Sequence, residues 1–208
     1  DLTPVIRYLR ALGNNKSMSV TNLTKKLCWL LATCGFLRPD DLRCTDARAS
    51  RIIKGNLELM VLFPKETRQG QKIIKPVVIY PHPDEALCPV KAFIEYRSRT
   101  QAGDRAIAHP KDPSRLYTPL IRYVRDKTAA TGTDRISNHI KEIMQLVPRN
   151  QDEPPFKARA VGATQALLKG VPVDDVMVHG NWSSPMIVDS FYRVSRSLAS
   201  SFTKVVLS

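Results

Sequence analysis

The chain of 208 residues has no Cys-x-x-Cys pair, no internal repeat, no low-complexity tract and few acidic residues. Each absence excludes something. Its four cysteines (Cys28, Cys34, Cys44 and Cys88) and its four histidines show no metal-ligand spacing, so structural zinc is not expected. Cys28 and Cys34 fall in an apolar helical run and read as buried thiols, which suits a reducing compartment. No apolar run approaches the ~18 residues of a membrane span. The opening Asp1-Leu2-Thr3-Pro4 is no secretory signal, and a start without Met reads as a piece of a longer protein. A hydrophobic share of 43% is too high for a disordered chain. Only 19 Asp and Glu stand against 32 Lys and Arg, leaving a net charge of +13 and an isoelectric point of about 9.9. That excess calls for a polyanion, with nucleic acid first. An acidic membrane surface comes second, but no basic amphipathic helix stands out to bind one.

Periodicity gives a mostly helical chain. A helix is expected over 3–12, closed by Gly13-Asn14-Asn15. A second starts at a Ser19 or Thr21 cap and carries Val20, Leu23, Leu27, Leu30, Leu31 and Cys34 at helical spacing, with Gly35 at its end. Leu57, Leu59, Val61 and Phe63 alternate as in a strand, Ile73 to Tyr80 gives a second strand, and a short strand near Ile52 completes a three-stranded antiparallel sheet. Lys65 lies in the charged connection between two of these strands. Pro89 opens a helix to about Gln101. Residues 103–115 read as an exposed loop, and helices are expected near 118–130, 134–147, 157–169 and 173–179, with a loop at 148–155. Ser184-Pro185 starts a helix carrying Tyr192, and 194–207 forms a last one with Val194, Leu198, Phe202 and Val205 on one side. The fold class is mainly α with a small three-stranded antiparallel sheet, read as one domain over 1–208.

Three stretches carry chemistry: Gly35-Phe36-Leu37-Arg38-Pro39-Asp40-Asp41-Leu42, Lys157-Ala158-Arg159-Ala160-Val161-Gly162-Ala163-Thr164, and Asn181-Trp182-Ser183-Ser184-Pro185 through Ser190-Phe191-Tyr192. Attack on a DNA phosphodiester builds negative charge on the equatorial oxygens. Arginine suits that charge, because its planar fork donates several hydrogen bonds and never loses its proton. A tyrosine hydroxyl is a competent nucleophile beside such cations. A lysine can protonate the departing sugar oxygen. Taken singly, each residue has a plainer reading: a surface or ion-paired arginine, a solvated lysine, a core tryptophan, a packed tyrosine. His179 reads as structural or surface. Joint order and spacing set the group apart.

On these residues the chain resembles the catalytic domain of the tyrosine recombinase (phage integrase) family over nearly its whole length. Arg38 with Asp41 three residues on resembles the family's first arginine and its acidic buttress. Lys65 resembles the hairpin lysine, with Lys72 and Lys75 as competing candidates, and Arg159 resembles the second arginine. Trp182 stands where other members carry histidine or tryptophan, and Tyr192, ten residues later, resembles the nucleophile. Trp-Ser-Ser followed by Phe-Tyr is similar to the Crypton and DIRS-type recombinases of eukaryotic mobile elements. The sequence departs from the pattern at Phe156, where the family usually has histidine. Phenylalanine neither donates to a phosphate nor moves a proton, and the adjacent Lys157, at a helix start, points elsewhere.

The resemblance implies a site-specific recombinase or transposase that cleaves and rejoins strands of double-stranded DNA through a 3′-phosphotyrosyl bond, without metal or cofactor. It implies action as a tetramer on two duplexes, an intracellular and nuclear location, and a separate N-terminal core-binding domain not contained in this sequence. The apolar side of 194–207 suits exchange between subunits or docking on its own domain. A non-catalytic DNA-binding descendant, a type IB topoisomerase-like enzyme and an unrelated basic nucleic-acid binder remain as alternatives.

Overall fold

The computed structural model describes residues 1–64, 67–68, 71–72, 76–150 and 152–192. Helix α1 spans Thr3–Ala11 and α2 Val20–Cys34. The Ser19 hydroxyl caps α2 by accepting the Asn22 N–H at 3.2 Å. This helix is buried over most of its length, with Leu23, Leu27, Cys28, Leu30 and Leu31 in the main core. Around it pack α4 (Pro89–Thr100), α5 (Thr133–Met144) and α6 (Ala158–Leu168). Short α3 (Pro39–Arg43) follows α2 after a sharp turn.

Gly35 ends α2, as its position suggested. Gly35 is the C-cap but is not left-handed; Phe36 takes the positive φ of 51° instead. A side chain on Gly35 would meet the Leu31 carbonyl at 2.8 Å, so the glycine serves close packing. Cys28 is buried, whereas Cys34, at the end of α2, is exposed, contrary to its sequence reading.

Strands β1 (Thr45–Ile53), β2 (Asn56–Val61) and β5 (Val77–Ile79) form a three-stranded antiparallel sheet in the order β1-β2-β5. Leu57, Leu59 and Val61 point inward along β2, as their alternation requires. The strand near Ile52 is far longer than expected and starts at Thr45. Between β2 and β5 the chain forms a small ribbon of β3 (Thr67–Arg68) and β4 (Gln71–Lys72). Residues 73–75, expected to open the second strand, lie outside the described residues.

Two expectations fail in the middle of the chain. The stretch 103–115 is not a plain loop: β6 (Ile107–His109) and β7 (Asp112–Tyr117) pair as an antiparallel hairpin. The stretch 118–130 is not helical. Its start lies along the edge of β1, where the Ala47 N–H donates to the Thr118 carbonyl at 2.7 Å and the Leu120 N–H donates to the Thr45 carbonyl at 3.0 Å. The free edge of β1 offers the backbone of this stretch the bonds a helix would have supplied.

The chain then runs through α5, a loop, α6, α7 (Val173–Gly180) and α8 (Pro185–Ile187), which continues as one π turn over Val188–Tyr192. Residues 193–208, including the expected last helix, lie outside the described residues. Phe36, Ala163, Val176, Trp182 and Val188 form a second, smaller apolar cluster beside the main one. No helix among the described residues is long and apolar enough to cross a membrane.

Candidate active site

Four of the five residues expected to react lie together where these two clusters meet. Arg38 is the N-cap of α3, and its backbone N–H donates to the Asp41 carboxylate at 2.8 Å. Asp41, buried in the first turn of α3, thereby fixes the backbone from which the Arg38 side chain departs. Arg159 sits in the first turn of α6 and is almost fully buried. It reaches this position because α6 and α2 approach closely: a Cβ on Gly162 would lie 2.1 Å from the Thr33 carbonyl oxygen. Arg159 Nη2 donates to the Gly180 carbonyl at 2.9 Å, tying α6 to the end of α7.

Past α7 the chain reverses through Asn181, left-handed at φ 53°, and the Trp182 N–H donates to the Met177 carbonyl at 2.9 Å. The reversal folds the indole onto Gly180, where a Cβ would fall 2.6 Å from the ring. Trp182 then lies in the middle of a three-ring stack. Phe36 is on one side with centroids 5.6 Å apart, and Tyr192 on the other at 4.2 Å. The Arg159 guanidinium carbon is 4.9 Å from both the Trp182 and the Tyr192 ring centroids. The indole N–H is buried with no hydrogen-bond partner among the described residues.

The decisive distance closes the group. Arg38 Nη2 donates to the Tyr192 hydroxyl oxygen at 3.1 Å, across 154 residues of sequence. One guanidinium thus faces the phenolic oxygen while a second lies against the ring, so the oxygen sits in a strongly cationic setting. The Tyr192 carbonyl accepts the Thr164 hydroxyl at 2.9 Å, which anchors the π turn on α6.

Over this geometry the chain can be set beside proteins of known structure. XerA recombinase superposes with a TM-score of 0.52 at 12% identity, over 84% of this chain and 59% of that one. A lambda integrase (75-356) dimer bound to a COC′ core site gives 0.55 at 16% identity, over 93% and 59%. A lambda integrase tetramer bound to a Holliday junction gives 0.54 at 15%, over 98% and 50%. The chain shares the fold of XerA recombinase and lambda integrase. It spans only about half to three fifths of the length of those chains. No family model and no curated protein matches the sequence.

Within this recombinase and integrase fold the remaining sequence candidates are placed as follows. Lys65 lies outside the described residues, directly after buried Pro64. Phe156 packs partly buried against the main core, and Lys157 is the exposed N-cap of α6. His179 joins Phe36 edge-on at 4.8 Å, and its Nε2 is 2.7 Å from the Cys34 carbonyl. A carbonyl can only accept, so that nitrogen carries the proton, and the bond fastens α7 to the end of α2. A small recess of about 20 Å³ borders the site, lined by Asp41, Pro64, Arg159 and Gly180 among others. Among the described residues no group of three or more His, Cys, Asp or Glu side chains is arranged to hold a metal.

Sequence reading missed Phe36 and Thr164. Nothing in the sequence pattern marks Phe36 as the left-handed residue after Gly35. Nothing in the spacing of Thr164 marks it as the anchor of a segment 28 residues away.

Proposed function

We propose that this chain is the catalytic region of a DNA-cleaving and rejoining tyrosine recombinase, with Tyr192 as nucleophile. The observation that carries the reading is the 3.1 Å approach of Arg38 to the Tyr192 hydroxyl, with Arg159 stacked on the same ring. The Tyr192 hydroxyl releases its proton to solvent as its oxygen attacks the scissile phosphorus, a new O–P bond forms, and the bond to the 5′ oxygen breaks. Arg38 and Arg159 stabilise the charge that grows on the phosphate oxygens. Lys65 gives its proton to the departing 5′ oxygen. Trp182 shapes the pocket and turns its unpartnered indole N–H toward a phosphate oxygen. Asp41 holds Arg38 in place. A 5′-hydroxyl from another duplex reverses the step, so the phosphotyrosine stores the bond energy and the overall exchange consumes no cofactor.

The partner is double-stranded DNA, attracted by the net charge of +13. The working form is a tetramer on two duplexes, with a further N-terminal domain closing around the DNA. The Trp-Ser-Ser and Phe-Tyr pattern assigns the chain to the Crypton and DIRS type of mobile elements, which act in the nucleus. A second reading, a DNA-binding descendant without activity, is favoured by one observation: Phe156 is core packing where the family has a histidine.

The test is trapping on a nicked suicide substrate. Wild-type protein forms a covalent adduct and Tyr192→Phe forms none. An adduct with Tyr192→Phe refutes the nucleophile, and no adduct with wild type leaves the descendant.

A further inference from the structure

One imidazole outside the reacting group touches both segments that carry it. His179, in the last turn of α7, brings its Nε2–H to the Cys34 carbonyl at 2.7 Å. The last carbonyls of a helix have no intrahelical partner, and His179 meets the one at the end of α2 from 145 residues away. Its ring stands edge-on to Phe36, with centroids 4.8 Å apart and planes at 85°. Phe36 follows directly on Gly35 and stands two residues before Arg38. It holds a left-handed φ of 51°, costly for a bulky side chain. A strained backbone persists only where its surroundings over-determine it. His179 supplies two of those constraints, one on the backbone before the turn and one on the ring.

The constraint passes on through the stack. The Phe36 and Trp182 planes lie 11° apart, and those of Trp182 and Tyr192 lie 21° apart. A tilt of Phe36 is therefore felt by the ring that carries the Tyr192 oxygen. On its own helix His179 adjoins Gly180, whose carbonyl accepts Arg159 Nη2. Apolar packing between these segments is thin. An open groove of about 330 Å³ separates the end of α2 from α6 and α7, with Cys34, Phe36, Gln165, Val176 and His179 in its wall. The directed bond across the edge of this groove holds what close packing holds elsewhere in the molecule.

We propose that His179 is a positioning residue for strand cleavage: its Nε2–H bond to the Cys34 carbonyl holds the Phe36 turn against Trp182 and so sets the ring stack on which Tyr192 is placed. This rests on the reading of Tyr192 as the nucleophile.

The experiment compares wild type, His179→Gln and His179→Asn. Both replacements lose the ring edge. The glutamine amide can take the place of Nε2, whereas the asparagine amide is too short to reach the Cys34 carbonyl. The first readout is the rate of adduct formation on the nicked suicide substrate. His179→Asn is expected to slow it on the order of tenfold, the weight of one lost hydrogen bond, and His179→Gln to recover most of that loss. The second readout needs no cleavage. The chain has two tryptophans, Trp29 in the main core and Trp182 in the stack. Labelling with 5-fluorotryptophan therefore gives one fluorine resonance from each. In His179→Asn the Trp182 resonance is expected to shift or broaden while the Trp29 resonance stays, and His179→Gln is expected to return the wild-type pattern. Equal rates in the two variants, or an unmoved Trp182 resonance in His179→Asn, overturns the proposal. A change in both resonances also overturns it, since that would be a general loosening of the fold. If wild type forms no adduct, the nucleophile reading falls, and the fluorine spectra still decide whether His179 sets the stack.

Discussion

The two halves of the candidate site are held in different ways. The Arg38 half is attached to the main core through α2, whose Leu23, Leu27 and Leu31 are wholly buried, and through the sheet and the β6–β7 hairpin. The Tyr192 half rests on a cluster of five buried residues, one three-ring stack and the Thr164 hydroxyl. It also contains a π turn, a helix form that occurs mostly in short pieces and often at functional sites. Among the described residues the guanidiniums are thus built into a rigid frame, whereas Tyr192 is placed by separable contacts. Under the proposed function, in which Tyr192 forms and later releases a covalent bond, such an arrangement lets the arm move without unfolding the frame.

The largest expected effect breaks the frame. Leu27→Ala removes a fully buried side chain from α2 and should cost about 2–5 kcal/mol. Chemical denaturation followed by helical signal measures it, and a loss near zero would show that the main cluster is not the stable unit. A smaller effect separates the halves. Thr164→Val deletes the hydroxyl that holds the Tyr192 carbonyl, worth about 1 kcal/mol. It should raise hydrogen exchange over 188–192 by about fivefold while exchange in α2 stays unchanged. Equal acceleration in both would mean that the arm and the frame open together.

The smallest effect is confined to acid. His139 is buried in α5 with neither ring nitrogen hydrogen-bonded among the described residues. Burial first, then Lys25 and Arg135, lowers its pKa below the usual 6.5, against an opposing pull from Glu142. The unfolded chain then takes up a proton more readily than the folded one. The stability contribution is complete above pH 6.5 and is lost as pH falls through the lower folded value. His139→Leu should therefore flatten stability between pH 7 and 5 relative to wild type, measured by denaturation at each pH. An unchanged slope would show that the imidazole is hydrated.

Helices with a long apolar period were legible because their burial follows from local spacing: α2, α4, α5 and α6 were expected close to where they lie. The hairpin at 107–117 was not legible, since its proline and charged residues satisfy a loop pattern equally well. Its pairing is decided by what it packs against, namely Phe63, Arg43 and Asp40. The same holds for 118–122, where contact with the edge of β1 overrides an apparent helical period.

The order of Arg38, Asp41, Arg159, Trp182 and Tyr192, together with the basic charge, was available from the sequence, because residue type and spacing need no partner to be read. What only the tertiary structure decided is which atoms meet. That Arg38 reaches the Tyr192 oxygen, that Trp182 lies between Phe36 and Tyr192, and that His179 reaches the Cys34 carbonyl all depend on contacts between segments distant in sequence. Such contacts are set by close packing, as where Gly162 admits the Thr33 carbonyl and Gly180 admits the indole, and no local pattern encodes them.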